Sequence, residues 1–368
     1  MAPLPVESFV RGQGAHIRPP PPRKPVAWHR LLFANAWSST VTVITGLLIA
    51  VIVPKIFDWA ILSAVWHGGP NACRAAAGAC WAFIGEKAPQ ILLGIYPASQ
   101  RWRPVAVIVL IVALAIWTLP PRNWRLSTLW AWLAGIALSL VLMGGGIAGL
   151  PFVPTTAWGG LPITLLLTVL SLVAGFPIAI GLALGRRAQL PAVRLICAGF
   201  VETVRGLPLL TMLFIASLLV PLMLPGSISI DNFFRALLAL TAYAAAYLAE
   251  VLRGGLQAIP PGQIEAARAL SLGRMQIIRL IVLPQAIAKV IPPLTSTVVV
   301  IVKNTSLVLV VGLFDLLSAG RTALTDPAWP APYAETFLLV ALVYFVICFS
   351  ISRYAAFLER RGGTGHQA

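Results

Sequence analysis

Two sets of polar side chains stand inside long apolar runs of this sequence. Glu202 and Arg205 lie three positions apart, so on a helix they share one face and can neutralise each other. The second set is a continuous polar stretch: Lys303, Asn304, Thr305 and Ser306. A charged group inside a bilayer is costly unless it is paired or hydrated, and such groups mark binding sites and pathways. The alternative for Glu202 and Arg205 is a structural ion pair near the membrane surface.

The elements that carry these residues have the composition of a membrane protein. The chain has 368 residues, of which 59% are hydrophobic and 10% charged, and its mean hydropathy is +0.89. The formal charge of +16 does not indicate nucleic-acid binding, because the basic residues fall between the apolar runs. This composition predicts an all-α, polytopic membrane protein.

Hydropathy predicts about eight transmembrane helices. They are expected at 40–66, 105–119, 129–148, 161–184, 193–224, 233–252, 286–317 and 336–358. Gly206 and Pro208 interrupt the fifth, which frees backbone groups that must face protein or water. The predicted organisation is a lead-in over 1–38, a three-span extension with a long loop over 39–157, a five-span core over 158–359 and a tail over 360–368.

A polar, basic stretch of the chain, Glu265–Pro284, follows the sixth predicted span. Arg268, Arg274 and Arg279 exclude it from lipid, while its apolar residues recur at helical spacing. Pro284 ends or kinks a helix that reaches it. The pattern predicts a helix–turn–helix that projects into water and docks on another protein. The alternative is an ordinary amphipathic helix that lies on the lipid headgroups.

This stretch resembles the EAA loop of the membrane subunits of bacterial ABC importers. The family spacing is met by Glu265, Ala266 and Ala267 together with Ile281, Leu283 and Pro284. The family pattern has glycine at its seventh position, where this chain has Ser271, and Gly273 follows two residues later. The hinge is therefore expected to shift towards Gly273. The resemblance implies that these eight residues form a coupling loop that fits a groove on a cytosolic ATPase subunit.

From about residue 158 onward, the chain resembles the polar and general L-amino-acid branch of these importers. The resemblance rests on motifs at 159–164, 202–209, 249–255, 284–286 and 303–307, and it continues from Trp329 onward. The three earlier spans resemble the longer membrane subunit of general L-amino-acid systems. The fold implied is a type I ABC importer permease core preceded by three extra helices. The function implied is a permease subunit that moves L-amino acids, over a broad range, across the bacterial inner membrane.

The resemblance also implies the partners of the chain. They are a cytosolic ABC ATPase dimer, a second and related permease subunit, a periplasmic amino-acid-binding protein and the lipid bilayer. The chain has no GxxxxGK[ST] pattern, so ATP and Mg²⁺ are expected on the ATPase, with no cofactor, metal or catalytic residue on this chain. Two alternatives are an ion-gradient-driven secondary transporter and a permease for other small solutes such as opines.

Charge distribution predicts the orientation. With both ends in the cytosol, most of the 27 lysine and arginine residues fall inside, as the positive-inside rule requires. The basic stretch Arg101–Arg103 then lies outside and is the exception. Cys73 and Cys80 share the loop on that outer side, where they either form a disulfide or remain free.

The stretch from Lys303 to Ser306 offers what an amino-acid zwitterion needs. Lys303 supplies a cation for the carboxylate, and Asn304 and Thr305 supply acceptors for the ammonium group. Family members often carry aspartate at the position of Asn304, so its absence removes a negative charge here. The alternative is a structural role, in which Lys303 reaches the membrane surface or pairs with Asp315.

Restoring the negative charge tests this hypothesis. Asn304→Asp is expected to raise uptake of arginine relative to neutral amino acids, because a carboxylate attracts a cationic side chain. The measurement is the ratio of the two uptake rates in reconstituted vesicles. An unchanged ratio would contradict the selectivity hypothesis.

Overall fold

Helices dominate the computed structural model, which describes residues 32–147, 149–225 and 230–363. In lipid an apolar segment must satisfy its backbone hydrogen bonds internally, and a helix does so. The predicted lead-in and tail lie largely outside the described residues. The α-helices are α1 Ala36–Phe57, α2 Pro70–Ala75, α3 Trp81–Leu93, α4 Trp102–Thr118, α5 Leu126–Gly144, α6 Gly160–Gly185, α7 Pro191–Gly206, α8 Leu209–Phe214, α9 Val220–Met223, α10 Asn232–Gln257, α11 Pro261–Ala269, α12 Arg274–Ile277, α13 Leu283–Lys289, α14 Ile291–Asn304, α15 Leu316–Ala323 and α16 Tyr333–Gly363.

The described helices include 7 that are long and apolar enough to cross a membrane, or up to 8 if one bent pair is a single span. The bent pair joins α7 to the segment Leu209–Met223 at an angle of 104°. The break falls at Leu207, whose backbone is extended, and at Pro208, which has no N–H to continue the helix. The predicted all-α membrane fold and the interruption of the fifth span are both confirmed.

The chain divides into two compact units, Met1–Ser63 and Ala64–Ala368. The described part of the first unit is α1 with a π-helical turn, Asp58–Leu62. The side chain of Asn35 begins α1 by accepting a hydrogen bond of 2.7 Å from the backbone of Ser38. Pro54 lies inside this helix without ending it.

The second unit is built around α10, which packs along α6. Small residues allow the two backbones to approach closely, as in other membrane helix pairs. A Cβ added at Gly175 of α6 would lie 3.1 Å from the Cβ of Ala244 and 3.3 Å from the nitrogen of Ala245 in α10. Any larger residue at Gly175 would therefore push the two helices apart.

The segment 64–100, called here the disulfide clamp, packs against the loop between α15 and α16. Cys73 and Cys80 form a disulfide with their Cα atoms 5.5 Å apart, which decides the alternative left open by the sequence. The backbone N–H of Cys80 donates to a Glu335 carboxylate oxygen at 2.6 Å, and both residues are buried. Phe83 meets the ring of Trp329 edge to face.

A second set of contacts ties the clamp to the same loop. The Lys87 ammonium group lies 2.6 Å from a carboxylate oxygen of Asp326. This hydrogen bond raises the pKa of Lys87 and lowers the pKa of Asp326.

The clamp also lies close to the start of α6. A Cβ at Gly94, which has a φ of +69°, would lie 2.5 Å from the Gly159 backbone. Only glycine permits this approach at the start of α6.

Removing the disulfide should destabilise the clamp. Replacing both Cys73 and Cys80 by serine is expected to cost about 2–3 kcal/mol, because the bridge closes a short loop in the unfolded chain. Thermal unfolding in detergent with and without a reductant measures the effect. The reductant should lower the melting temperature of the wild type and of the control Cys197→Ser, and should leave the double variant unchanged. Four free thiols in the unreduced, denatured wild type would contradict the bridge.

Candidate functional site

The stretch Glu265–Pro284 forms a hairpin, and its first arm is α11. This helix ends in a Schellman motif. The N–H of Leu272 donates to the carbonyl of Ala267 at 3.2 Å, and the N–H of Ser271 donates to the carbonyl of Arg268 at 2.9 Å. These bonds satisfy carbonyls that a helix end would otherwise leave without partners.

Ser271 occupies the left-handed residue of this turn, with a φ of +58°. Gly273 has a φ of −66° and an extended backbone, which any residue can adopt. Its N–H donates to the Gln276 side-chain oxygen at 2.9 Å, and α12 begins at the next residue. The expected shift of the hinge towards Gly273 is therefore wrong. The turn stays at the seventh position, and a serine adopts the conformation that glycine favours there.

The second arm contains α12, a π-helical turn at Ile278–Val282 and α13. Pro284 does not end this arm, because it lies in the first turn of α13, where a missing N–H is tolerated. The Gln285 side chain donates to the carbonyl of Ile281 at 3.0 Å. The arm ends instead at Val290.

Some apolar residues of the two arms face the protein interior, and others face solvent. Ala267, Ile277 and Val282 are buried, and they seat the hairpin on the helix ends of the second unit. Leu270 and Met275 point into solvent, with exposed fractions of 75% and 73%. Glu265, Ala266, Arg268, Arg274, Arg279 and Leu280 are exposed as well. The hairpin thus presents an apolar and basic surface from a fixed base, as an interaction site for another protein requires.

A cluster of charged side chains lies where α10 leads into the hairpin. Its centre is Glu250, which is bound by three arginines: Arg186 at 2.6 Å, Arg205 at 3.3 Å and Arg253 at 2.5 Å. The predicted Glu202–Arg205 pair does not form. Glu202 instead lies 3.4 Å from Arg186. Arg186 directly follows α6, whereas Arg205 and Arg253 lie in α7 and α10. One carboxylate thus joins the ends of three helices.

Sequence reasoning missed Arg186 and the central place of Glu250. The Glu250–Arg253 pair has helical spacing and was visible along α10. The partners from α6 and α7 were not visible, because their distance in the sequence carries no signal. Arg187, beside Arg186, donates to the carbonyl of Leu256 at 3.0 Å and further fixes the end of α10.

Two stacked tyrosines connect this cluster to the second polar set. The guanidinium group of Arg205 lies 5.6 Å from the ring centroid of Tyr247. Tyr247 stacks on Tyr243 with the ring centroids 4.3 Å apart. The Tyr243 hydroxyl lies near the Asn304 side chain. The structure therefore brings Arg205 and Asn304 into one continuous row of contacts.

The stretch from Lys303 to Ser306 divides between two environments. Lys303 and Ser306 line a cavity of about 530 Å³ beside α16, together with Tyr344 and Cys348. Thr305 is buried, and its hydroxyl donates to the carbonyl of Val302 at 2.8 Å. The hydroxyl of Ser306 donates in the same way to Lys303. These two hydroxyls are thus already engaged with the backbone.

The alternative pairing of Lys303 with Asp315 is not observed among the described residues. Asp315 is buried at the start of α15 and accepts from the backbone N–H groups of Leu317 and Ser318, at 2.9 and 3.1 Å. Its carboxylate also accepts from the Tyr344 hydroxyl at 3.1 Å. This carboxylate caps a helix, which leaves the Lys303 ammonium group available to the cavity.

Comparison with known proteins places these features in context. The family model described as "Binding-protein-dependent transport system inner membrane component" matches residues 175–362, about half of the chain. The chain is 41% identical to the inner membrane amino-acid ABC transporter permease protein YhdY of Escherichia coli (strain K12), over 92% of this chain and 94% of that protein.

Two further similarities were found. The chain is 34% identical to the glutamate/glutamine/aspartate/asparagine transport system permease protein BztC of Rhodobacter capsulatus, over 98% of this chain and 99% of that protein. A crystal structure of an amino acid ABC transporter with histidines aligns with 54% of this chain and 90% of its own, at 30% identity and a TM-score of 0.48.

The charge cluster yields a prediction about stability. Glu250→Gln should destabilise the protein by about 1–3 kcal/mol, because three arginines lose the negative charge they share in a partly buried site. Glu202→Gln is the matched control and should cost less than about 1 kcal/mol, since the Glu202 side chain is 68% exposed and contacts one arginine. Thermal unfolding in detergent distinguishes them. Equal losses for the two variants would contradict the central role of Glu250.

Proposed function

Because this chain belongs to the family of binding-protein-dependent transport system inner membrane components, we propose that it is the permease subunit of an ATP-driven importer of L-amino acids. The observation that carries the proposal is the hairpin Glu265–Pro284. It combines an exposed apolar and basic surface with a base that is packed against the transmembrane helices. A segment of this kind can transmit movement from a soluble partner into the membrane.

The partner that the hairpin fits is a cytosolic ATPase. Leu270, Met275 and Leu280 supply apolar anchors, and the surrounding arginines restrict the orientation of docking. In this proposal, ATP and Mg²⁺ bind to the ATPase. Nucleotide binding and hydrolysis change the contacts made at the hairpin and so shift the permease between inward- and outward-facing states.

The disulfide clamp supports the predicted orientation of the chain in the membrane, with both ends in the cytosol. A disulfide persists on the oxidising side of a bacterial inner membrane, which supports a periplasmic position for the clamp. Five crossings separate the clamp from the hairpin when α7 and its bent continuation count as one. The hairpin is then in the cytosol, as are both ends of the chain. A periplasmic amino-acid-binding protein delivers substrate to the clamp side, and a second, related permease completes the pathway.

The row of contacts from Arg205 to Asn304, with Lys303, is the candidate substrate pathway. Lys303 and Arg205 supply cations for a substrate carboxylate, and Asn304 and the tyrosine hydroxyls supply polar partners. A pathway without an added negative charge suits a broad range of amino acids. The relatives named above for amino acids, among them glutamate and glutamine, support this substrate class over opines.

Reconstitution tests the proposal against a secondary transporter. The chain is placed in vesicles with its ATPase, a second permease and an amino-acid-binding protein. We expect ATP hydrolysis that rises when the loaded binding protein is added, and uptake that stops without ATP. Uptake by the chain alone, driven by a proton or sodium gradient, would overturn the proposal.

The hinge of the hairpin gives a sharper test. Ser271→Val should impair ATP-driven uptake, because a β-branched residue at a φ of +58° costs about 1–3 kcal/mol and distorts the turn. Ser271→Gly should retain uptake. The measurements are the transport rate and the stimulation of ATP hydrolysis by the binding protein.

Gly273→Ala is the matched control for the hinge. Its backbone suits any residue, and an added Cβ would meet only the Gln276 side chain, at an ordinary 3.5 Å. This variant should therefore behave like the wild type. Full coupling in Ser271→Val, or loss of coupling in Gly273→Ala, would place the hinge elsewhere.

A further inference from the structure

A cleft opens where the turn between α4 and α5 meets the C-terminal part of α16. Its volume is about 470 Å³. The lining residues are Leu119, Pro120, Pro121, Arg122, Tyr354 and Phe357. One wall thus comes from the three-span extension and the other from the core. Neither the coupling hairpin nor the candidate substrate pathway uses this cleft.

The wall formed by the turn is rigid. Three consecutive carbonyls at the end of α4 each accept a hydrogen bond from a side chain. The bonds are Asn123 to Trp117 at 2.6 Å, Trp124 to Thr118 at 3.0 Å and Tyr354 to Leu119 at 2.7 Å. The last of these crosses the cleft and joins the two walls. The shape of the cleft is therefore already formed before any ligand enters.

The charge around the cleft is positive. Arg122 lines it and is exposed, and Arg125 follows three residues later in the same turn. On α16, Arg353 stands four residues before Phe357 on the same helix face, beside the cleft rather than in its lining. Glu359 is the neighbouring acid, and it lies off that face. The site therefore favours an anion.

The surroundings are those of a membrane surface. Trp117 and Trp124 are both exposed beside the cleft, as tryptophans at the boundary between lipid and water commonly are. Ile116 and Leu126 extend the apolar surface from the turn into the membrane-spanning helices, with exposed fractions of 61% and 69%. A ligand here meets basic groups at one end and lipid-facing hydrocarbon at the other.

We propose that this cleft binds an anionic phospholipid. The headgroup phosphate lies against Arg122, and the acyl chains follow the apolar surface of α4 and α5. Basic pockets between transmembrane helices recognise anionic headgroups in this way. The bound lipid connects the extension to the core and stabilises their contact. A soluble anion would use the arginines alone and gain nothing from the apolar surface.

Lipid titration of the purified full-length protein tests the proposal. Binding of phosphatidylglycerol and of phosphatidylcholine is compared by native mass spectrometry and by the rise in melting temperature. We expect phosphatidylglycerol to bind more tightly and to raise the melting temperature more. Arg122→Gln should weaken binding of phosphatidylglycerol about fivefold, since a basic residue near the surface contributes about 1 kcal/mol.

Arg194→Gln is the matched control, because Arg194 is an exposed arginine in the first turn of α7 and lies outside the cleft. It should bind phosphatidylglycerol like the wild type. Equal binding of the two lipids, or equal weakening by the two variants, would overturn the proposal. An equal rise in melting temperature with inorganic phosphate alone would also overturn it, because the ligand would then be a free anion.

Discussion

The end of the molecule that carries the hairpin depends on the ion pairs made by the Glu250 carboxylate. Arg186, Arg205 and Arg253 reach it from three helices. Lipid cannot solvate these charges, so each must find a partner within the protein, and one acid serves all three. The hairpin begins just after α10 ends. A force on the hairpin therefore acts on α6, α7 and α10 together rather than on one helix.

Three segments of irregular backbone lie next to polar or charged residues. The helix breaks at Leu207 beside Arg205, a π turn precedes α13 in the hairpin, and a 3-10 segment, Thr305–Val311, follows Asn304. Such backbone is tolerated at membrane depth only where it is buried in protein or meets water. The break at Leu207 and the 3-10 segment therefore mark parts of the membrane domain that are shielded from lipid, and both adjoin the candidate pathway.

The burial of Arg103 explains a departure from the positive-inside rule. Arg103 belongs to the basic stretch expected outside, yet it is fully buried. Its guanidinium group donates to the carbonyls of Leu142 and Pro151, at 2.5 and 3.0 Å, and lies 5.7 Å from the ring centroid of Tyr96. It closes the C-terminal end of α5, where a helix favours positive charge. This arginine is a structural residue rather than a signal for orientation.

The sequence by itself determined the transmembrane helices, the break near Pro208 and the position of the hairpin, because hydropathy, proline and helical spacing are local properties of the chain. Only the tertiary structure decided that Glu202 pairs with Arg186, that Asp315 caps a helix instead of binding Lys303, and that Ser271 forms the turn. These outcomes depend on how each helix is rotated against its neighbours. Packing sets that rotation, and residues far apart in the sequence set the packing.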